Sequence, residues 1–190
     1  DLVIPDIWLG VPVKINIENA VAALAAATLA GVTPEEARSA MTSFAGAKRR
    51  FDIRLKTDRV VFIDDYAHHP DEIAASIASI RTLYPDKKIT GVFQPHLYTR
   101  TRDFAPEFAR SLSKLDEVIL LDIYPAREEP IEGVTSKIIF DRIDNERKIM
   151  CNKAQLLDVL RNRPIEVLVT LGAGDIDRML PDIEKVLKEK

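Results

Sequence analysis

The chain of 190 residues carries three clusters of polar and ionisable side chains that could do chemistry. Each cluster comes after a run of apolar residues. The clusters are Asp64-Asp65-Tyr66-Ala67-His68-His69-Pro70-Asp71-Glu72, Gln94-Pro95-His96-Leu97-Tyr98-Thr99-Arg100-Thr101-Arg102 and Asp122-Ile123-Tyr124-Pro125-Ala126-Arg127-Glu128-Glu129-Pro130. All three histidines of the chain lie in the first two clusters. Because histidine changes charge near neutral pH and often serves in catalysis or binding, this grouping favours one shared site.

The first cluster is compatible with two kinds of functional site. Two carboxylates followed by two imidazoles, Asp64, Asp65, His68 and His69, could bind a divalent metal ion. The same residues could instead orient the ribose of a nucleotide while the imidazoles contact a carboxylate or a phosphate. In a purely structural alternative, Asp64 or Asp65 caps a helix that begins near Pro70, and the histidines bond the loop backbone. The spacing alone leaves these alternatives open.

The second cluster has the chemistry of an anion site. His96, Arg100 and Arg102 lie between a predicted strand and a predicted helix, so their N–H donors can join those of a helix terminus. Arg100 can hold a carboxylate through two parallel hydrogen bonds. Solvated loop arginines are the alternative, above all for Arg102. Upstream, Lys48-Arg49-Arg50 could be an ordinary solvated charge run. Alternatively, a strand entry anchored by Phe51 would aim at least one of these arginines across an interdomain cleft, where it could contact a phosphate.

Alternating apolar runs and helical periods predict the elements that position these clusters. The expected strands are Val60 to Ile63, Ile89 to Phe93, Val118 to Leu121, Lys148 to Cys151 and Val167 to Leu171. The expected helices are Pro70 to Tyr84, Asp103 to Leu115, Lys153 to Arg161 and Ile176 to Lys188. This alternation predicts an α/β fold, with a mostly parallel sheet covered by helices on both faces. Ligands of such sheets bind beyond the carboxyl ends of the strands, so we expect the first two clusters to leave neighbouring strands at a common rim.

The first part of the chain is predicted to be helical and separate. The run from Ile17 to Ala30 is typical of an alanine-rich, closely packed helix, and Thr33-Pro34-Glu35-Glu36 has the cap, proline and acidic residues of a second helix start. Small residues then interrupt the pattern. We therefore predict two domains, residues 1–43 and residues 44–190.

The composition limits the classes of function. The chain has 27 basic and 30 acidic side chains and a formal charge of −3, so no field of one sign indicates nucleic acid or an anionic membrane surface. Its longest apolar stretch, Ala20 to Gly31, is shorter than the roughly 20 residues that span a bilayer. The single cysteine, Cys151, cannot form an internal disulfide, which indicates a reducing compartment and favours the cytoplasm.

A glycine-containing turn is predicted after the last strand, but its chemistry is weakly specified. The segment Gly172-Ala173-Gly174-Asp175 permits close backbone approach, yet it lacks the third glycine of a dinucleotide-binding fingerprint. The sequence also has no Gly-x-x-x-x-Gly-Lys-Ser/Thr phosphate loop. We therefore do not expect this chain to hold ATP phosphates through its own backbone.

The segments Asp64-Asp65-Tyr66-Ala67-His68-His69-Pro70 and Phe93-Gln94-Pro95-His96-Leu97-Tyr98-Thr99-Arg100-Thr101 resemble motifs of the Mur ligase family, in particular of its L-alanine-adding branch. The second segment is the more specific one. Supporting segments occur in the same order and extend the resemblance over nearly the whole chain. They are Asn16-Ile17-Glu18-Asn19-Ala20, Lys48-Arg49-Arg50-Phe51, Ile123 to Ile131 and Gly172-Ala173-Gly174-Asp175. The resemblance implies a Rossmann-like carboxy-terminal domain at 44–190, preceded by the helical end of a central ATPase domain.

The resemblance also implies a reaction. In this family ATP phosphorylates the carboxylate of UDP-N-acetylmuramate, and the amine of L-alanine attacks the acyl phosphate. For the nucleotide, the implied contacts are Asn16 and Asn19 with adenine, Asp65 with ribose and Arg50 with the transferring phosphate. For the amino acid, His96 and Arg100 would hold the alanine carboxylate, and Tyr66, His68 and His69 would line the same edge of the sheet. The catalytic candidates are His68, His69 and Arg50. ATP and Mg²⁺ are the implied cofactors. No metal ligands are assigned to this chain, because those of the family lie largely in the central-domain part that this sequence does not include.

Two positions depart from the family pattern. The family usually has histidine where this chain has Ile15, which removes a possible adenine contact, and usually has arginine where this chain has Leu97. Since His96 and Arg100 stay in register, we expect amino-acid binding to survive the second change.

We expect the chain to be inactive until it is joined to the UDP-sugar and ATPase domains. The alternatives are a metal-dependent hydrolase that uses the Asp/His cluster, with His96 as acid or base, and a binding module without catalysis.

Overall fold

The computed structural model describes residues 4–190, apart from the side chain of Ile15. The chain divides into two compact units, Asp1–Ala47 and Lys48–Lys190. Within the residues described, no helix is both long enough and apolar enough to cross a membrane.

The first unit contains two helices, α1 (Lys14–Leu29) and α2 (Pro34–Ser43). Gly31 follows the first helix with φ of +92°, a left-handed conformation that glycine adopts without steric cost. The second helix begins with a capping box, in which the Thr33 side chain accepts from the Glu36 N–H and the Glu36 carboxylate accepts from the Thr33 N–H. Both predicted helices are therefore present, and α1 begins three residues earlier than expected.

The second unit is built on a six-stranded sheet in the order β1-β2-β6-β3-β4-β5. Its strands are β1 (Asp52–Lys56), β2 (Val61–Asp65), β3 (Ile89–Phe93), β4 (Glu117–Leu120), β5 (Lys148–Met150) and β6 (Val167–Leu171). All neighbouring pairs are parallel except β1 with β2, which is antiparallel. The predicted mostly parallel α/β sheet is confirmed. The edge strand β1 was not predicted.

Helices follow most of these strands. They are α3 (Pro70–Leu83), α4 (Tyr98–Asp103), α5 (Ala105–Leu112), α6 (Lys137–Phe140), α7 (Lys153–Arg161), a 3-10 helix (Asp175–Met179) and α8 (Leu180–Lys188). The single helix predicted from Asp103 to Leu115 was wrong, because the structure has α4 and α5 there. The two helices meet at Phe104, where φ is −117°, and Pro106 occupies the first turn of α5, the position in a helix that tolerates proline.

The strands bury side chains on both faces of the sheet, as the covering helices require. One face carries Phe62, Val92, Ile119 and Leu168, which belong to the same apolar cluster as buried residues of α7 and α8. On the opposite face, the Phe93 ring lies 5.2 Å from the Phe108 ring of α5, measured between centroids. The central strands β3 and β6 are buried along their whole length. This two-sided core holds the carboxyl ends of the strands at fixed positions.

The strand register places the ends of β2, β6, β3 and β4 at one rim. Asp65 pairs with Leu171, Phe93 pairs with the same Leu171, and Phe93 also pairs with Leu120. The first two polar clusters therefore leave the sheet at the same edge, as expected. They do not leave neighbouring strands, however, since β6 lies between β2 and β3. We call this edge the carboxyl rim.

Candidate functional site

The turn after β2 presents Tyr66 and His68 at the carboxyl rim. The His68 Nδ1 atom lies 2.9 Å from the Tyr66 carbonyl oxygen and 3.5 Å from Glu72 Oε2. Since both neighbours accept hydrogen bonds, Nδ1 must carry the proton. In the neutral ring, Nε2 then has a free lone pair. The Tyr66 ring packs edge-on against this imidazole with 5.1 Å between centroids.

His69 has a structural task, because it caps helix α3. Its Nδ1 atom accepts from the Asp71 N–H at 3.4 Å, and the Glu72 carboxylate accepts from the His69 N–H at 3.1 Å. Burial alone would raise the pKa of Glu72, but the backbone N–H groups of His68 and His69 outweigh it and hold that pKa below its ordinary value. The residues that cap the helix are thus His69 and Glu72, not Asp64 or Asp65.

The turn after β3 holds His96 and Arg100 together. Arg100 Nη1 donates to His96 Nδ1 at 3.4 Å, so neutral His96 carries its proton on Nε2. The His96 ring stacks on Tyr124 with 5.8 Å between centroids. Burial lowers the pKa of His96 below its ordinary value, and the positive charge of Arg100 lowers it further. His96 is therefore a neutral hydrogen-bond donor at physiological pH.

Residues of the third cluster contact the second cluster. Thr99, in the first turn of α4, donates through its N–H to Glu128 Oε2 at 3.0 Å and through its hydroxyl to Glu128 Oε1 at 2.5 Å. Glu128 so supplies the cap that Leu97 cannot give to α4. Leu97 and Ala126 both have left-handed backbones, with φ of 73° and 54°. Together with His96, Tyr124 and Arg127 they line an open cleft of about 340 Å³.

The two carboxylates after β2 have different environments. Asp64 is fully buried, accepts from the Thr170 hydroxyl at 2.7 Å and contacts Arg49. Asp65 is only partly buried and accepts from the Ala67 N–H at 3.3 Å. Burial raises the pKa of both carboxyl groups. Across the residues that the structure describes, no group of three or more His, Cys, Asp or Glu side chains is arranged to hold a metal ion. The hydrolase alternative is not favoured.

The two adjacent arginines before β1 have different environments in the structure. Arg50, expected near a phosphate, is exposed. Arg49 instead turns its side chain into the rim, where Nε donates to Asp64 Oδ2 at 3.3 Å and Nη2 donates to the Gly172 carbonyl at 2.7 Å. Sequence reasoning missed this role for Arg49. The left-handed conformations of Arg49 and Phe51, with φ of 61° and 49°, decide the directions of the side chains, and no residue pattern signals them.

The residues expected to contact adenine lie in the first unit, on helix α1. Asn16 is partly buried and donates through Nδ2 to the Val11 carbonyl at 3.2 Å, whereas Asn19 is exposed. At a spacing of three residues, both lie on one face of the helix. The side chain of Ile15, where the family usually has histidine, lies outside the described part of the chain.

The glycine turn after β6 packs against Gln94 at the end of β3. A Cβ atom at Gly172 would lie 2.5 Å from the Gln94 carbonyl oxygen, and one at Gly174 would overlap the Gln94 amide oxygen and lie 2.8 Å from Tyr124 Cβ. Gln94 also donates to Asp175 at 2.9 Å and accepts from the Ile176 N–H at 3.0 Å. The close backbone approach predicted from the glycines is therefore made to a neighbouring strand end.

A family model described as "Mur ligase, glutamate ligase domain" matches residues 49–174, which include all three clusters of the carboxyl rim. The chain belongs to the Mur ligase family.

Proteins named as UDP-N-acetylmuramate–L-alanine ligases are similar to almost the whole chain. A UDP-N-acetylmuramate–L-alanine ligase from Phocaeicola vulgatus is 62% identical over 188 residues, which are 98% of this chain and 41% of that protein. The enzyme of the same name from Parabacteroides distasonis is 60% identical over 184 residues, 97% of this chain and 40% of its own length. The chain thus spans about two fifths of the length of these relatives.

Solved structures of other proteins share the fold. A UDP-N-acetylmuramate-alanine ligase from Thermotoga maritima superposes with a TM-score of 0.77 at 27% identity, covering 97% of this chain and 40% of that one. Folylpolyglutamate synthase from the same organism superposes with a TM-score of 0.69 at 18% identity over 96% of this chain and 43% of its own, a likeness of fold alone.

Proposed function

We propose that this chain is the carboxy-terminal part of a ligase that joins L-alanine to UDP-N-acetylmuramate at the expense of ATP, and that it supplies the amino-acid site. The observation that carries the proposal is the meeting of His68 and His96 at the carboxyl rim, with 6.3 Å between ring centroids and Arg100 bonded to His96. The high identity to alanine ligases of two organisms supports the choice of amino acid.

The donors of the second turn suit the carboxylate of an amino acid. Arg100 is a permanent cation with a planar fork of N–H groups, and neutral His96 presents Nε2–H beside it. A carboxylate bound between them would accept charge-assisted hydrogen bonds from Arg100 and a further hydrogen bond from the Nε2–H of His96. The open cleft beside His96 is lined by Leu97, Tyr124 and Ala126, whose apolar atoms suit the methyl group of alanine.

His68 is placed to deal with the amine. Its Nδ1 proton is engaged with the Tyr66 carbonyl, so Nε2 can accept a proton. In the proposed step the neutral amine forms a C–N bond to the acyl carbon of the phosphorylated muramate. The C–O bond to phosphate breaks, inorganic phosphate leaves, and the surplus amine proton goes to His68 Nε2. Holding the amine and carboxylate at once would fix the amine for attack.

The nucleotide contacts remain as the resemblance implies. Asp65 would accept from a ribose hydroxyl, Asn16 and Asn19 would contact adenine, and exposed Arg50 would approach the transferring phosphate. The resemblance implies that a magnesium ion would take its protein ligands largely from the central domain of the longer protein, and the carboxylates of this chain are not assigned to it. Because ATP and UDP-sugars are cytoplasmic metabolites, we propose that the whole protein acts in the cytoplasm.

The test is an activity assay of the full-length protein, expressed from the whole reading frame. The full-length protein with Mg²⁺, ATP and UDP-N-acetylmuramate should release ADP and phosphate only when L-alanine is added, and should form the alanyl product in equal amount. The isolated chain of 190 residues should form none. Product formation by the isolated chain at a normal enzymatic rate, or full-length turnover that does not depend on alanine, would disprove the proposal.

A further inference from the structure

Arg49 connects two turns of the carboxyl rim that are far apart in sequence. Its guanidinium donates to Asp64 at the end of β2, to the Gly172 carbonyl at 2.7 Å, and to the Gly174 carbonyl at 3.5 Å. A fourth contact joins Nη1 to Asp177 Oδ2 at 3.6 Å. One side chain therefore holds the end of β2, the glycine turn and the 3-10 helix in fixed relation.

The same residue grips Tyr66 in two ways. The guanidinium carbon lies 5.0 Å from the centroid of the Tyr66 ring, within the range of a cation–π contact. The Arg49 carbonyl also accepts from the Tyr66 N–H at 2.7 Å. Tyr66 in turn positions His68, through its carbonyl at Nδ1 and its ring at the imidazole edge. A continuous set of contacts thus leads from Arg49 to the imidazole that would accept the amine proton.

Stability alone does not account for this arrangement. Asp64 is fully buried and Arg49 is only 20% exposed, and a buried ion pair is often no more stable than a well-packed apolar pair of the same volume. The acceptors around the guanidinium lie in different directions, so they require a rigid planar fork, which lysine lacks. The contacts of Arg49 are those expected of a side chain that fixes the relative positions of the turns it joins.

We propose that Arg49 is a positioning residue of the ligase site, which orients Tyr66 and, through the Tyr66 carbonyl, fixes the tautomer and direction of His68. The inference rests on the proposed function, in which His68 handles the alanine amine. Arg49 itself touches no reacting atom.

The kinetic test compares Arg49→Lys and Arg49→Gln with Arg54→Gln in the full-length enzyme. Arg54 is a matched control, since it is 29% exposed and is paired with Asp52 at 3.3 Å and Glu184 at 2.7 Å, residues of β1 and α8. The Arg49 variants should lower kcat/KM for alanine by about 100-fold, the effect of a displacement of about 1 Å, and leave the KM for ATP within about 3-fold. Arg54→Gln should leave both constants within about 3-fold.

The structural test measures the tautomer of His68 by nitrogen-15 NMR of the imidazoles in the 190-residue chain. The unaltered chain and Arg54→Gln should show the proton on Nδ1, and Arg49→Lys, which keeps the charge beside Asp64, should show a mixture of tautomers. An unchanged tautomer in Arg49→Lys, or alanine kinetics like those of Arg54→Gln, would overturn the inference. If the unaltered full-length protein does not use alanine, the proposed function fails, while the NMR result still decides whether Arg49 positions His68.

Discussion

His68 and His96 face each other with 6.3 Å between ring centroids, although 27 residues lie between them in the sequence and strand β6 lies between β2 and β3 in the sheet. Their tautomers are complementary. His68 keeps its proton on the side of the Tyr66 carbonyl, and His96 receives a hydrogen bond from Arg100 on the side away from its own proton. One ring offers a lone pair and the other offers an N–H, and the proposed ligase step uses both groups.

Arg100→Ala in the full-length enzyme should raise the KM for alanine about 10- to 100-fold, because a hydrogen bond to a charged group contributes about 1.5–3 kcal/mol. The KM for ATP should change little. Steady-state kinetics with each substrate varied in turn make the measurement. Arg102→Ala is the control, since Arg102 is exposed and pairs with its neighbour Asp103 at 2.7 Å. Equal changes in both constants would remove Arg100 from the amino-acid site.

His69→Ala should lower the free energy of unfolding of the chain by about 1 kcal/mol, the usual cost of losing a helix cap. His69→Asn should lose less, because asparagine is a strong N-cap residue and can accept from the Asp71 N–H in place of the imidazole. Urea unfolding of both variants checks this. If the two variants lose the same stability, the imidazole of His69 does not stabilise α3 as a cap.

His96→Gln should make the chain less sensitive to acid. The pKa of His96 is lowered in the folded protein by burial and by Arg100, so on acidification below the ordinary value of about 6.5 the unfolded chain takes up the proton first. The stability of the unaltered chain should then fall as the pH drops through this range. The loss should be smaller in the variant. Urea unfolding at pH 8, where His96 is neutral in both states, gives the baseline, and parallel profiles in the two proteins would contradict the expectation.

Cys151 should resist alkylation in the folded chain. Its side chain is buried, and burial raises the pKa of its thiol to about 11, so at pH 8 only about one molecule in a thousand carries a thiolate. Iodoacetamide should modify it at least about 100-fold more slowly than in denaturant, where the thiol pKa returns to about 8.5. Mass spectrometry at timed intervals measures the rates. Comparable rates with and without denaturant would show that the thiol is accessible.

The sequence predicted the fully buried strands most accurately. Strands β3 and β6 were predicted residue for residue, because both are apolar throughout and bounded by turns. Strand β1, with the sequence Asp-Ile-Arg-Leu-Lys, was missed because it is a half-exposed edge strand with only two apolar residues. The break between α4 and α5 was missed despite a usable signal, since Pro106 is tolerated only in the first turn of a helix.

The positions of the candidate site residues were predictable to the level of the turns that carry them. Strand ends and residue types led to Tyr66, His68, His96 and Arg100, which the structure brings together. Which of two adjacent arginines enters the rim depended on a left-handed turn that no residue type announces. The hydrogen bonds between Thr99 and Glu128 could not be predicted from the sequence, because they join segments 29 residues apart and no local pattern indicates such a tertiary contact.

Strand β6 lies between β2 and β3 but follows all the other described strands in the sequence. The ribosome therefore synthesises β2 and β3, with the turns that carry His68 and His96, before it synthesises the strand that pairs with both. Until residues 167–171 have emerged, β2 and β3 each present an unpaired edge, the kind of surface that recruits other chains into aggregates. We expect nascent chains of this protein to depend on chaperones until then, and chains interrupted before Val167 to be cleared by proteolysis.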